Sequence, residues 1–74
     1  MEQLFTAHIE KDGDSGYYIG IIPAIPGAHT QAKTLDELSA RLKEVLELCF
    51  ESMTEEEKNS LPQFVGTQQI SIAV

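Results

Sequence analysis

Positive charge is scarce in this sequence: five lysines and arginines stand against twelve aspartates and glutamates, giving a formal net charge of −7 over 74 residues. Such a chain repels phosphate backbones and has few cationic contacts with which to release counterions from DNA or RNA. Direct nucleic-acid binding is therefore not expected; most acidic surfaces serve only solubility, and where this one binds, a basic protein is the partner that the charge favours. There is a single cysteine, Cys49, so no disulfide can form within the chain. It falls inside a helical apolar stripe, where a thiol reads as a core residue in a reducing compartment rather than as a nucleophile. No apolar run approaches the roughly 20 residues of a membrane span, and the first residues form neither a basic start nor an apolar signal core. The expectation is a cytoplasmic protein with no membrane contact. Repeats, low-complexity stretches and internal boundaries are missing as well, so residues 1–74 read as one domain. A domain this short has a thin core, and with disulfides excluded, a homodimer or higher oligomer is the expected source of further stability.

What is present centres on Tyr17 to Leu38, YYIGIIPAIPGAHTQAKTLDEL. Tyr17 to Ile22 is rich in β-branched and aromatic residues and suits a central strand. Pro23 cannot donate to a sheet ladder, and Pro26 with Gly27 supplies the fixed φ and then the positive φ of the two central positions of a type II turn. The chain reverses there into a short polar edge strand, Ala28 to Lys33. Thr34 followed three residues later by Glu37 predicts a capping box that starts a helix.

Upstream, Gln3 to Lys11 alternates, with Phe5, Ala7 and Ile9 on the face expected to meet the helix. Asp12 to Gly16 is dense in turn formers and links this strand to the next as an antiparallel neighbour. Downstream, Leu35, Leu38, Leu42, Val45, Leu46, Cys49, Phe50 and Met53 form one stripe at helical spacing, which predicts a helix over 34–53. Glu37, Arg41, Glu44 and Glu51 lie opposite, with Leu48 among them. Thr54 and Glu57 repeat the cap signature before a short second helical turn. A final strand is expected where Ile70, Ile72 and Val74 alternate with Gln69, Ser71 and Ala73. The sum is an α+β fold, a β-β-β-α-β unit with an antiparallel meander, one long helix on one face, and the last strand parallel to the first in the order three-two-one-four. No helix remains for the other sheet face, which must show either Tyr17, Ile19 and Ile21 or Tyr18 and Ile22 and so calls for a second subunit or a partner.

An apolar strand, then Pro23, Ile25, Pro26 and Gly27, a few extended residues, and Thr34 with acidic residues opening a helix resembles the HicB antitoxin family. With the first strand included, the resemblance covers nearly the whole chain. Where that family commonly has a cysteine after the turn glycine, a glycine two before the capping threonine and an acidic-acidic-alanine first turn, this chain has Ala28, Ala32 and Asp36-Glu37-Leu38. The resemblance implies a partial ribonuclease H fold, and a domain that binds a HicA toxin, a small basic ribonuclease acting on messenger RNA, and masks its RNA-binding surface. HicB antitoxins commonly continue into a DNA-binding domain, so the chain reads as a solitary HicB-like N-terminal domain.

The ribonuclease H likeness raises two-metal nuclease chemistry, which needs converging carboxylates. The first strand offers only Glu10 near its end, and Gln68 to Val74 has none. His8 and His29 begin no recognisable metal-ligand spacing, and Ser15, Ser39 and Cys49 lack a base and an oxyanion site. The expectation is a non-enzyme without cofactor or metal. Candidate partner-binding residues are Asp12, Asp14, Tyr17, Tyr18, Leu48, Glu55 and Glu56. The alternative is an orphan HicB-like interaction or small-ligand module with no cognate toxin.

Overall fold

Three short strands and two helices follow one another along the chain in a computed structural model that describes residues 4–74. Strands β1 (His8–Lys11), β2 (Tyr18–Ile21) and β3 (His29–Ala32) form an antiparallel sheet in the order β1-β2-β3. Helix α1 (Leu35–Glu51) lies across it, and α2 (Glu55–Asn59) follows as a short helical segment. This is the expected meander with one long helix on one face.

The register sets which side chains meet the helix. Ile9 stands opposite Gly20 and Lys11 opposite Tyr18, while Tyr18 and Gly20 face Ala32 and Thr30 across the other ladder. Since successive residues of a strand point to opposite faces, Ile9, Tyr18, Gly20, Thr30 and Ala32 share the helix face. Helix α1 packs chiefly on β3 and then on β2. Small residues at the crossing, Gly20 and Ala32, let it approach closely. Ile22, Ile25, Ala28, Ala32, Leu38 and Leu42 make up the buried core of the described residues, with Phe5, Ala7, Val45, Leu46, Cys49, Met53 and Leu61 packed round it. Leu38 is completely buried, and that burial contributes about 1.5–3 kcal/mol.

The β2–β3 connection forms as its prolines and glycine require. Ala28 N–H donates to Ile25 C=O at 3.1 Å around Pro26 and Gly27, and Gly27 has φ +83°. A second turn, Ile25 N–H to Ile22 C=O at 3.1 Å, encloses Pro23 and Ala24. Together they bend Ile25 down into the core, where it is nearly inaccessible.

Several expectations need correction. The first strand is shorter than Gln3 to Lys11: Leu4 to Ala7 are not in the ladder, although Phe5 still reaches the helix, its ring 5.9 Å edge-on from that of Phe50. Gln3 lies outside the described residues. At the start of α1 only half of the expected capping box exists. Thr34 Oγ1 accepts from Glu37 N–H at 3.1 Å, but the Glu37 carboxylate turns to Arg41 at 3.2 Å instead of back to Thr34. A cationic partner four residues on outcompetes a neutral amide for that carboxylate. The full box appears at α2, where Thr54 N–H donates to Glu57 Oε1 at 2.9 Å and Glu57 N–H to Thr54 Oγ1 at 3.1 Å. Leu35, placed in the apolar stripe, is 51% exposed, whereas Leu38 in the same turn is completely buried. Residues 61–74 form no strand: they run without regular structure, and Ile70, Ile72 and Val74 face solvent.

Candidate functional site

Two surfaces of different chemistry result from this arrangement. On the sheet side, the residues alternate with those that meet α1, so Ile19 and Ile21 lie on the open face together with Tyr17 just before β2. Ile21 is 44% exposed and sits in one row with His8 and His29; Ile19 sits in the next with Glu10 and Gln31. His8 Nε2 and Glu10 Oε1 are 3.0 Å apart, and Lys33 Nζ lies 5.9 Å from the centre of the Tyr17 ring. This is a narrow apolar stripe with a mixed polar border. The open face is therefore the first of the two sets that the alternation allowed, and the two histidines flank Ile21.

On the helix side, eight of the twelve acidic residues are carried by α1 and α2: Asp36, Glu37, Glu44, Glu47, Glu51, Glu55, Glu56 and Glu57. All are exposed. Only Glu37 and Glu55 among them have a basic side chain within 4 Å, Arg41 and Lys58 respectively. Leu48, 67% exposed, stands in this acidic field. On α1 it is flanked by Glu44, Glu47 and Glu51, so one apolar side chain lies within an electronegative stretch.

The sequence-derived candidates are not brought to one place. Asp12 is spent inside the β1–β2 connection: its Oδ2 accepts from the Ser15 hydroxyl at 2.7 Å and from Ser15 N–H at 2.9 Å. The Ser15 hydroxyl, and after it the Ser15 amide, hold the Asp12 carboxyl below the ordinary aspartate range. Asp12 N–H also donates to Tyr17 C=O, and Gly16, at φ +76°, donates to Asp12 C=O. Asp12 thus braces a loop, while Asp14 is exposed at its tip. Tyr17 and Tyr18 point to opposite faces; Tyr18 packs beside the core with Lys11 Nζ 5.6 Å from its ring centre. Leu48, Glu55 and Glu56 belong to the helix layer. Glu57 is held below the ordinary glutamate range, first by the Thr54 backbone amide.

A groove of about 670 Å³ opens beside β1. Leu4 to His8 form one wall, Leu61 to Thr67 the other, and Pro23 and Ala24 contribute to its lining. Sequence reasoning missed it because its second wall is a segment without periodicity. Among the described residues no three His, Cys, Asp or Glu come together as a metal site, and no helix is long and apolar enough to cross a membrane.

The fold defines a small α+β module in which one long helix covers one face of a three-stranded antiparallel sheet. The chain is 46% identical over 68 residues to a UPF0150 protein of Archaeoglobus fulgidus, covering 92% of this chain and 93% of that one. It is 39% identical over 72 residues to a UPF0150 protein of Thermotoga maritima, covering 97% and 93% respectively. A UPF0150 protein of Synechocystis is 39% identical over 71 residues, covering 96% and 97%. The chain belongs to the UPF0150 family. No family profile and no solved structure matches it significantly.

Proposed function

We propose that this chain is an antitoxin-like protein-binding module of the HicB type, acting in the cytoplasm, that neutralises a small basic mRNA-cleaving toxin of the HicA type by covering its RNA-binding surface. The observation that carries this reading is the acidic helix layer around Leu48. A surface that binds RNA is basic, and a carboxylate field competes for the same cations. The Pro23, Pro26, Gly27 and Thr34 signature that resembles HicB supports it as well. In the same reading the sheet is completed, as in a partial ribonuclease H fold, by a strand from 69–74 beside β1. The stripe of Tyr17, Ile19 and Ile21 is then offered to a second copy. Glu55 and Glu56 extend the electronegative surface, whereas Asp12 contributes through the shape of its loop.

Co-expression with a HicA-type toxin tests this. Restored growth and a complex that survives purification are expected. Unrelieved toxicity in the presence of abundant folded protein would contradict it.

One observation favours a second reading, that of an orphan small-ligand module. The groove beside β1 has Phe5, Ala24, Leu61 and Phe64 in its lining, while the Lys58 ammonium lies over the Phe50 ring and 3.7 Å from Glu55. An apolar cleft of this kind would take a small, largely apolar ligand.

A further inference from the structure

The segment from Asn59 to Val74 carries no charged side chain, in a chain of net charge −7. Within it, Ile70 (79% exposed) and Ile72 (75%) alternate with Gln69, Ser71 and Ala73 in a pattern that has strand periodicity and no strand partner. None of residues 68–74 lines the groove or joins the core. The radius of gyration, 14.2 Å, exceeds the roughly 11 Å of a compact chain of this length, as expected when such a segment projects from the body.

The two sheet edges differ in their availability. At the β3 edge, Arg41 reaches over from α1 and donates Nη1–H to Gln31 C=O at 2.9 Å, so a charged side chain already occupies one carbonyl there. Among the described residues the outer edge of β1 has no neighbouring strand, and the groove runs along the residues that lead into it. An uncapped edge beside an apolar groove accepts an added strand.

We propose that the strand filling this groove is Gln68 to Val74 of a second copy, so that two chains exchange these segments. The proposal rests on the completed sheet of the preceding section and names the donor, but does not depend on a toxin. The preference for a second copy follows from the groove itself. Leu61 to Thr67 build one wall, and residues 68–74 continue directly from that wall. The chain's own residues 68–74 leave that wall without entering the groove, which stays open to a neighbour's segment. Placed as a strand against residues 5–9, which must then extend β1 toward the N-terminus, Ile70, Ile72 and Val74 join Phe5, Ala7 and Ile9 on one face, and Ser71 falls with Thr6 on the other. The lack of charge lets two acidic molecules meet at this point without added repulsion.

The test mixes a tagged full chain carrying Thr6→Cys with an untagged full chain carrying Ser71→Cys, both with Cys49→Ala. They are refolded together and treated with a short bis-maleimide that tolerates differences of register. A covalent heterodimer is expected, and Ile72→Asp should reduce its yield at least tenfold while circular dichroism stays unchanged, since no residue beyond Leu61 packs on the core. Ile21→Asp, which alters only the open sheet face, should leave the cross-link intact. A chain carrying both cysteines that links internally, a heterodimer insensitive to Ile72→Asp, or monomers alone would each overturn the exchange. An internal link would retain the completed sheet; the absence of any link would remove both.

Discussion

A Cβ placed on Gly20 would stand 2.7 Å from Leu42 Cδ1. The helix is thus seated on the one position of β2 that has no side chain, and the depth of the core between α1 and the sheet is set by this pair.

Gly20→Val should therefore be destabilising by about 1–3 kcal/mol through overpacking, read as a lower melting temperature. Leu42→Ala alone should cost about 2–5 kcal/mol by leaving a cavity. The double variant should recover part of the sum, because the valine fills what the leucine vacates. Strict additivity in a thermal or urea double-mutant cycle would show that the two residues are not in contact.

Gly27, at φ +83°, has open space where a Cβ would go, so any loss on substitution comes from the backbone alone. Gly27→Val is expected to lower stability by about 1 kcal/mol or more, and Gly27→Asn by less, because asparagine tolerates that region better than a β-branched residue. Equal melting temperatures for the two variants would mean that the turn relaxes into another form.

The carboxyls of Asp12 and Glu57 are both held below their ordinary range by hydrogen bonds, from Ser15 and Thr54 respectively. A depressed folded-state pKa stabilises above the unfolded value and loses that contribution as pH falls through the folded one. Stability should accordingly decline on acidification below about pH 4. Asp12→Asn and Glu57→Gln should each flatten the acid limb of a melting-temperature profile slightly, since both groups are solvent-exposed. A steeper limb in either variant would reverse the sign of the argument.

Ile21→Asp tests the open sheet face. Its side chain is absent from the core, so the variant should fold, and self-association through the stripe of Tyr17, Ile19 and Ile21 should weaken in sedimentation. Unchanged oligomer size would remove that face from the assembly.

The elements legible in the sequence were those whose signal is local. Pro26 and Gly27 announce a turn by their own allowed dihedrals, and the stripe from Leu38 to Met53 announces a helix by its period. Thr34 and Thr54 both cap helices, but Glu37 could not be assigned from spacing because Arg41 competes for it in three dimensions. Gly20 carries no signal of its own in the sequence; its role as the seat of the helix exists only once Leu42 lies above it. The alternation after Gly66 was equally clear, yet a strand needs an edge to pair with, and sequence does not say whose edge. For the candidate site, composition showed the excess of carboxylates, while their segregation onto the helix layer depends on which helix face is buried. Tyr17 and Tyr18 show the limit well, since adjacent residues in one strand must point to opposite surfaces.

The most direct measurement for the proposed function is RNA cleavage by a purified HicA-type toxin, titrated with this protein. Cleavage should stop near a stoichiometric ratio, and Leu48→Lys together with Glu44→Lys should abolish inhibition without unfolding the chain. Rising salt should slow association more than it speeds dissociation, as expected when charge steers the encounter. Cleavage that continues undiminished at a large excess of folded protein, or inhibition unaffected by the two charge reversals, would contradict the account.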